Sequence, residues 1–530
     1  MKTIGELVKK LDMISGIKRV AERCRKKQEL LLVGERHIRG SCIRIPCSGA
    51  VVEICLGGPD GKILHLQPEI PLTIGEEKQW PTYWLVDMAR MTSGHGSFLR
   101  LKPKQNLVLG RHSSEQTALF DYSTRISSRH LMILHEGESL QLSDLASNGG
   151  TCLRLLPDPP PSLCLATWHQ RQRQRLAELF FEGMAVPDDG SIIQPLAAPV
   201  AMERLQRAHA VLRTAFLPVN CCPASSTPDP QESSAKGESR AVVSASDHDT
   251  DADEEDVAGD TGTAAASPLI HLPVDTLPIV VGDLHAKVDN LLTLLITGGV
   301  LAALENGAAT LVFLGDAVHP DEVGQYAEMQ GSMLIMDIIL TLMAHFPGKV
   351  LYLRGNHDGF SEEIHKGSVS QGRVWQRVLT ETRGKAYRVA MKAFYQDLPY
   401  MVVHPHLVAT HAAPPVIKIS LELLADMRQH PQLIHQVSWN RMHQPRWPSG
   451  YREKDIKNLR NVLELGKDVP FVVGHTPMDH EHTAWLHAGE MAHHHIVYSG
   501  TLDRVGWLVC LSGGVIHMEC PVVHQPGMVV

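Results

Sequence analysis

Three short apolar runs in the second half of the chain each end at a polar turn. They span 279–281, 311–314 and 350–353 and are rich in β-branched and large aliphatic residues, as buried strands usually are. Two long segments rich in Leu, Ile and Met, 288–304 and 329–345, separate them and predict helices. The order β-α-β-α-β predicts an α/β sheet, in which ligands collect at the carboxyl ends of the strands.

The turns after these runs carry acids and histidines. They have the sequences GDLHA at 282–286, GDAVH at 315–319 and GNHD at 355–358. Carboxylates and imidazoles that meet at one sheet edge are costly unless a cation lies between them. A mixed Asp, His and Asn set suits Zn, Fe or Mn better than an all-oxygen magnesium site. Any one turn could be an ordinary strand end, but three in order favour a metal site.

Two further motifs follow, THAAPP at 410–415 and GHTP at 474–477. With them, the stretch 278–521 resembles the calcineurin-like metallophosphoesterases, above all the phosphoprotein phosphatases and the symmetrical diadenosine tetraphosphatases. The resemblance implies a four-layer α/β metallophosphatase domain, with a β-sandwich core flanked by helices. Two late apolar runs, 505–511 and 515–523, are expected to complete the second sheet of that core.

The same resemblance implies two divalent metal ions, Mn, Fe or Zn, with Mn the expected ion in vitro. A pair of ions can hold a phosphate and activate hydroxide for in-line attack. His357 would protonate the leaving alkoxide and Arg354 would bind phosphoryl oxygens. Ala286 stands where the family has a glycine. The implied ligands are Asp283 and His285 for the first ion, Asn356, His411 and His475 for the second, and Asp316 as the bridge.

One motif departs from the phosphatase pattern. This chain has His319 and Pro320 where the phosphatases carry an Asp-Arg pair. The carboxylate that orients the catalytic histidine and a phosphate-binding arginine are therefore missing. Asp321 or Glu322 could replace the carboxylate. The candidates for the arginine's role are Arg446 and Arg452.

The segment 83–156 has closely spaced short strands and polar turns, which predict a β-sandwich. It contains LGRH at 109–112, ISSRH at 126–130 and SDLASNGGT at 143–151, and it resembles a forkhead-associated domain, which binds phosphothreonine peptides. Gly149 stands where that family keeps an asparagine that grips the peptide. The alternative is a scaffold in which these are ordinary turn and strand residues. The implied phosphopeptide contacts are Arg111, Ser127, Ser128 and Thr151.

Composition and patterning divide the chain into five parts. At 530 residues it exceeds the size of a single core. Residues 223–269 are acidic and poor in large apolar side chains, which predicts a disordered linker. The parts are a basic amphipathic helix and short β region at 1–82, the forkhead-like domain at 83–156, a helical connector at 157–222, the linker at 223–269 and the metallophosphoesterase domain at 270–530.

Charge and apolar content exclude several classes. The net charge of −8 gives no support for nucleic-acid binding. No apolar run reaches the roughly 18 residues of a membrane span, so no transmembrane segment is expected. The ten cysteines form neither a disulfide framework nor a paired metal motif. Lys9 and Lys10 interrupt the apolar region that a secretory signal would need, so no such signal is expected. We expect a cytoplasmic protein.

The leading hypothesis is a metal-dependent phosphatase that hydrolyses phosphomonoesters, most of all phosphoserine and phosphothreonine in proteins. The forkhead-like domain would bind a phosphorylated protein and raise its local concentration. Two alternatives remain open at this point. One is hydrolysis of a phosphorylated nucleotide of the diadenosine tetraphosphate type. The other is a catalytically inactive phospho-dependent adaptor, against which the six metal positions argue.

Overall fold

The structure is a computed structural model of the chain. It describes residues 35–46, 51–57, 61–68, 82–87, 98–111, 126–136, 139–156, 165–182, 194–216, 266–445, 447–511 and 514–523. The predicted N-terminal helix and most of the predicted linker lie outside the described residues.

The N-terminal part consists of two antiparallel sheets. The first has six strands in the order β1-β10-β3-β4-β5-β6, and the second has four in the order β2-β9-β8-β7. Alternating side chains such as Ile54, Leu64 and Leu85 are fully buried. The strands are β1 (Glu35–Ile38), β2 (Cys42–Pro46), β3 (Val51–Leu56), β4 (Lys62–Pro68), β5 (Tyr83–Val86), β6 (Phe98–Leu101), β7 (Asn106–Leu109), β8 (Leu131–His135), β9 (Ser139–Asp144) and β10 (Thr151–Leu156).

These sheets continue across residue 82, the boundary expected between the first two parts. β4 pairs with β5, and β1 and β3 lie on either side of β10. Local periodicity cannot reveal pairing of this kind, because the partners are up to 119 residues apart in sequence, as in Glu35 and Arg154. Residues 35–68 and 83–156 therefore share both sheets. The forkhead-associated type of sandwich stays a prediction.

Two helices, α1 (Leu165–Phe180) and α2 (Ala198–Thr214), follow the N-terminal sheets. They lie close to the connector helices expected from the sequence, and both pack onto the C-terminal domain. The α2 residues His209 and Arg213 bond to Asp397, with donor–acceptor distances of 2.7 and 2.6 Å. Just before α2, the Leu196 amide donates to the buried Asp337 carboxylate at 2.9 Å.

The C-terminal domain has two central sheets, five-stranded β14-β13-β12-β22-β23 and six-stranded β11-β17-β18-β19-β21-β20, and a hairpin of β15 and β16. Strands β12, β13 and β14 are parallel, as the three apolar runs predicted. The strands are β11 (Leu269–His271), β12 (Leu277–Val281), β13 (Ala309–Phe313), β14 (Val350–Tyr352), β15 (His365–Lys366), β16 (Val369–Ser370), β17 (Met401–His404), β18 (Leu407–Thr410), β19 (Phe471–Val473), β20 (Ala484–Leu486), β21 (His494–Val497), β22 (Arg504–Leu511) and β23 (Gly514–Pro521).

Helices cover both outer faces of the paired sheets. Along the second sheet, Val402 and Ala409 pack toward the first sheet, whereas Val403 and Val408 pack toward the helices between β18 and β19. This gives the expected α/β arrangement of helix, sheet, sheet and helix. The helices are α3 (Val288–Ile296), α4 (Val300–Glu305), α5 (Gln330–His345), α6 (Gln371–Arg383), α7 (Lys385–Asp397), α8 (Leu421–Ala425), α9 (Pro431–Trp439) and α10 (Glu453–Val462).

The last two strands correct one expectation. β22 pairs with β12 and β23 pairs with β22, both antiparallel, so they extend the first sheet and not the second. The predicted helix over 288–304 is also divided, because Gly299, immediately before α4, adopts a left-handed φ of 73°. Among the described residues, no helix is long and apolar enough to cross a membrane.

Candidate metal centre

The three predicted turns meet at one edge of the first sheet. β12, β13 and β14 are parallel neighbours, so Asp283, Asp316 and Asn356, which follow them, lie at the same edge. The second sheet contributes from its own parallel pair, since His411 follows β18 and His475 follows β19. The two sets come together directly, because the His475 amide donates to Asp283 Oδ1 at 3.0 Å.

The convergence produces two groups of potential metal ligands that share one carboxylate. Asp283, His285 and Asp316 form one group. Asp316 also belongs to a second group with His411 and His475, and within each group the ligand atoms lie within 4.8 Å of one another. Asn356 joins the second group, since its Oδ1 lies 2.8 Å from His411 Nε2. The structure thus brings together all six residues that the resemblance implied.

The histidines are oriented as metal ligands usually are. His411 Nδ1 donates to the Leu314 carbonyl at 2.9 Å, and His285 Nδ1 donates to the His319 carbonyl at 3.1 Å. A ring that donates through Nδ1 keeps the Nε2 lone pair for a cation. His475 Nε2 is buried and has no hydrogen-bond partner among the described residues. These donors fit a pair of divalent ions, because buried nitrogen without a partner is costly unless a cation binds it.

The charges in this centre are strongly coupled. Burial raises the pKa of Asp283 to about 7, although the charge of His411 opposes this. Burial also favours protonation of Asp316, but the charges of His411 and His357 outweigh it and hold the Asp316 pKa well below its usual value. Burial lowers the pKa of His411, yet Asp316 and Asp283 raise it to about 9. Metal binding to these carboxylate and imidazole ligands would displace their protons, so the affinity for metal would rise with pH.

Asp358 holds two of the ligand turns together through hydrogen bonds. Its Oδ2 accepts from the amides of Asp316 and Gly355, at 3.0 and 2.8 Å, and its Oδ1 accepts from the Tyr352 hydroxyl at 2.6 Å. Gly355 allows the turns to approach, because a Cβ there would lie 2.1 Å from Asp316 Oδ1. Neither Asp358 nor Tyr352 was predicted to have a role, although Asp358 lies within the GNHD motif.

Several of these turns have left-handed backbone at residues other than glycine. Such conformations cost roughly 1–3 kcal/mol each and persist only where neighbouring contacts hold them. Ala286, the residue that replaces a glycine, is one of them. The residues and their φ angles are His285 (44°), Ala286 (64°), Asp316 (51°), His319 (67°) and His475 (63°).

The two predicted catalytic side chains lie beside the ligands. The His357 ring is 5.6 Å from the His285 ring between centroids, and its amide donates to Asp316 Oδ1 at 2.8 Å. His357 Nδ1 is buried and has no hydrogen-bond partner among the described residues. Arg354 donates to the Tyr400 hydroxyl at 3.2 Å. Neither position conflicts with its predicted role, and both roles stay predictions.

No carboxylate orients the His357 ring among the described residues. His319, which replaces the expected Asp, is fully buried, and neither of its ring nitrogens has a hydrogen-bond partner within the part of the chain that the structure describes. Asp321 accepts from Lys287 and from the Tyr498 hydroxyl, and Glu322 also pairs with Lys287. Asp321 and Glu322 are therefore engaged elsewhere and do not replace the missing carboxylate.

An arginine that no sequence motif predicted lies near the second ligand group. The guanidinium of Arg441 donates to Thr476 Oγ1 at 3.1 Å, next to His475, and its charge interacts with that of Asp283. Of the two predicted candidates, Arg446 lies outside the described residues, and Arg452 begins α10 and contacts His443. No local pattern distinguishes Arg441, because its place follows from the loop between α9 and α10.

The predicted phosphopeptide residues also lie together, at one end of the N-terminal sheets. Arg111 is exposed, and its amide and Nε donate to the carbonyls of Ser127 and Ile126, at 3.3 and 2.6 Å. Ser127 Oγ accepts from the Asn148 amide at 3.1 Å, and Ser128 is exposed. Thr151 differs, because it is 1% exposed and donates to the buried Asp144 at 2.7 Å. It supports the loop and does not face solvent.

The fold and the two ligand groups define a metal-dependent phosphoesterase domain. Residues 278–506 match the family described as calcineurin-like phosphoesterase, so these residues form a calcineurin-like metallophosphoesterase domain, a class of phosphoric ester hydrolases. The match does not extend to residues 83–156, where the forkhead-associated assignment stays a prediction. No curated protein sequence matches the chain.

Solved structures resemble the chain at low identity. A protein serine/threonine phosphatase from Saccharomyces cerevisiae, described as similar to human phosphatase PP5, is 11% identical with a TM-score of 0.42, over 68% of this chain and 98% of that one. A cold-active protein-tyrosine phosphatase from a psychrophilic Shewanella species is 12% identical with a TM-score of 0.31, over 48% and 82%. Similarities this weak say nothing about substrate.

Proposed function

We propose that the chain is a metal-dependent phosphatase that hydrolyses phosphomonoesters of serine and threonine in proteins. The observation that carries this proposal is the pair of ligand groups sharing Asp316 at the joined edges of two sheets. When bound there, two divalent ions supply charge neutralisation and an activated water for attack on phosphorus. The metallophosphoesterase domain supports hydrolysis of phosphoric esters as the reaction class. Phosphorylated proteins are the proposed substrate.

The chain's own residues would handle the substrate around that centre. His357 lies next to His285 and holds a proton donor position for the leaving oxygen. Arg441 and Arg354 offer guanidinium groups to phosphoryl oxygens. The exposed Arg111 and Ser128 would hold a phosphothreonine of the partner protein at a distance from the reaction. That contact would raise the local concentration of phosphorylated substrate.

The test compares phosphate release from a phosphothreonine peptide and from diadenosine tetraphosphate, with Mn²⁺ present, for the wild type and Asp316→Asn. The side-chain amide of this variant can still accept from the His357 backbone amide but lacks the shared negative charge. Turnover should therefore fall more than about 100-fold, beyond the effect of outer-sphere partners. Asp275→Asn, at an exposed carboxylate, should behave as the wild type. Equal turnover by wild type and Asp316→Asn would contradict the proposal.

A second candidate is hydrolysis of dinucleoside polyphosphates, and one cavity favours it. The cavity has a volume of about 180 Å³ and adjoins Gly474 and Thr476. Arg441 and the half-exposed Trp447 line it, with the guanidinium carbon of Arg441 5.4 Å from the centre of the Trp447 ring. The exposed Gln444 also lines the cavity and could hydrogen-bond through its side-chain amide. Sites that enclose a whole ligand are roughly 300–1,000 Å³, so this one suits a single ring system such as a nucleobase.

Turnover of diadenosine tetraphosphate alone would move the assignment to this second candidate. Trp447→Ala would then raise the KM for the dinucleotide and leave turnover of a small aryl phosphate unchanged. If the protein binds a phosphothreonine peptide but takes up no metal and hydrolyses neither substrate, it is an adaptor.

A further inference from the structure

Two cysteines lie directly opposite each other in the six-stranded N-terminal sheet. The antiparallel strands β3 and β10 pair so that Cys55 faces Cys152, and both side chains are thiols in the structure. Residues that face each other in antiparallel strands have Cα atoms about 4.5–5.5 Å apart. Disulfide bonds join Cα atoms about 4.4–6.8 Å apart. The two cysteines are 97 residues apart in sequence, so only the strand pairing brings them within bonding range.

Both thiols lie on the outer face of this sheet, where a small molecule can reach them. The neighbouring residues Ile54 and Leu153 are fully buried in the core. Because side chains alternate along a strand, Cys55 and Cys152 point the opposite way, and both are half-buried.

A histidine lies on the other side of Cys152. The edge strand β1 pairs with β10 so that His37 faces Cys152, and His37 is exposed. Side chains that face each other in this way have Cβ atoms about 4.5–5.5 Å apart, so the imidazole is within reach of the thiol proton. The thiolate is the form of cysteine that attacks a disulfide. Cys152 is therefore the thiol that we expect to react first.

The other described cysteines differ in burial or in the residue that they face. Cys510 and Cys520 are fully buried, and burial raises the pKa of the Cys510 thiol, which disfavours the reactive thiolate. Cys42 is half-buried but faces Ser143, across the strands β2 and β9. Within the part of the chain that the structure describes, Cys55 and Cys152 alone form a facing pair of cysteines.

We propose that Cys55 and Cys152 are a modification site, at which a small-molecule disulfide of the glutathione type forms a reversible disulfide bond between the two strands. The Cys152 thiolate attacks one sulfur of the oxidant, which gives a mixed disulfide and releases one thiol. The Cys55 thiolate then attacks the Cys152 sulfur, which forms the Cys55–Cys152 bond and releases the second thiol. The two cysteines lose two electrons and two protons, and the oxidant becomes two thiols.

The bond acts on the contact between β3 and the loop that follows β9. The Gly57 amide donates to the Gly150 carbonyl at 3.1 Å, and a Cβ on Gly149 would lie 2.6 Å from the Gly57 Cα. Cys55 and Cys152 are each two residues from this hydrogen bond, so a covalent bond between them holds its donor and acceptor together. Opening of the contact becomes rarer in the oxidised protein.

The test incubates the full-length protein with a mixture of oxidised and reduced glutathione, blocks the remaining thiols and maps the disulfides by mass spectrometry. The wild type should yield a crosslinked pair of peptides that contain Cys55 and Cys152. Cys55→Ser should stop at glutathione bound to Cys152, because no second thiol faces it. The matched control is Cys42→Ser, which removes a half-buried cysteine that faces a serine and should leave the crosslink unchanged. Cys55→Ala replaces Cys55→Ser if that variant does not fold.

Two further measurements test the consequences of the bond. Hydrogen exchange at the Gly57 amide should slow about tenfold on oxidation of the wild type, because the crosslink restricts the opened state, and should not change in Cys55→Ser. His37→Ala, introduced together with Cys55→Ser, should slow the attachment of glutathione to Cys152. Unchanged exchange would overturn the effect on the loop, and an unchanged rate of attachment would overturn the role of His37.

The mapping decides the proposal itself. It is overturned if both thiols of the wild type stay reduced in excess oxidised glutathione, if they take up glutathione without forming a crosslink, or if the crosslink is lost in Cys42→Ser. Disulfide formation is measured without turnover, so the result does not depend on the proposed phosphatase activity.

Discussion

Two buried aspartates organise the two halves of the molecule in the same way. Asp358 accepts from two backbone amides and a hydroxyl in the C-terminal domain. Asp144 accepts from the amides of Gly40 and Ser147 and the hydroxyls of Ser147 and Thr151 in the N-terminal sheets. Burial acts to raise the pKa of Asp144, but these hydrogen bonds outweigh it and hold the pKa below its usual value.

The surroundings of the two carboxylates differ. Around Asp358, the buried ring nitrogens His357 Nδ1 and His475 Nε2 have no partner among the described residues, so the turns retain binding capacity. Around Asp144, Thr151 is engaged inward and the oxygen of Ser127 already accepts an amide. The metal centre therefore keeps ring nitrogens that can bind ions, whereas the loops around Asp144 use their polar atoms in hydrogen bonds with one another. If the N-terminal cluster binds a phosphopeptide, as proposed, the exposed Arg111 and Ser128 are the residues that would contact it.

Of the two buried aspartates, Asp358 should show the larger effect. Asp358→Asn keeps one acceptor but loses the charge that draws the amides of Asp316 and Gly355 together, so turnover with Mn²⁺ should fall about 10–100-fold. Tyr352→Phe, which removes one of the hydrogen bonds to Asp358, should give a smaller loss. Phosphate release under saturating substrate measures both, and an unaffected Asp358→Asn enzyme would break the comparison.

Asp144→Ala should act on stability and not on turnover. It leaves two hydroxyls and two amides without their acceptor, at a cost of about 2 kcal/mol to the N-terminal sheets. Hydrogen exchange of β8, β9 and β10 measures this locally, which is preferable to a single melting temperature in a chain of several domains. A loss of turnover of a small aryl phosphate would show that the two halves are coupled.

Arg111→Ala tests the N-terminal cluster as a binding site. Loss of its guanidinium should lower the affinity for a degenerate phosphothreonine peptide library about tenfold, with no change in turnover of a small aryl phosphate. Arg36→Ala, at an exposed arginine on β1, is the control. Equal capture of the library by the two variants would leave the cluster with a scaffold role only.

The smallest effect concerns the contact of α2 with α7. Burial acts to raise the pKa of Asp397, but the hydrogen bonds from His209 and Arg213 outweigh it and lower the pKa. The stabilisation is therefore complete above the usual pKa of an aspartate and is lost as the pH falls through the lowered value. Asp397→Asn should weaken protection of α2 by about 1 kcal/mol at pH 7. Hydrogen exchange should show this difference shrinking in acid, and a difference independent of pH would contradict the assignment.

Local patterns predicted the strands before Asp283, Asp316 and Asn356, because buried parallel strands are continuous apolar runs. The family resemblance of the motifs then implied the six ligands, which lie together at the joined edges of the two sheets. What the patterns could not give was pairing over long distances, such as β22 beside β12 or β4 beside β5. Arg441 and Asp358 have no local signature for the same reason, since their roles depend on which loops meet in space.

The packing of α2 on the C-terminal domain determines which parts of the molecule the next segment connects. α2 is held on α7 through Asp397, and the chain returns at Ala266, whose carbonyl accepts from Arg428 at 3.1 Å. The described residues on either side of the stretch 217–265 thus both lie on the C-terminal domain, so the two halves of the molecule are not joined through that stretch. A protease cut within it would leave two fragments that still associate through the packing of α2.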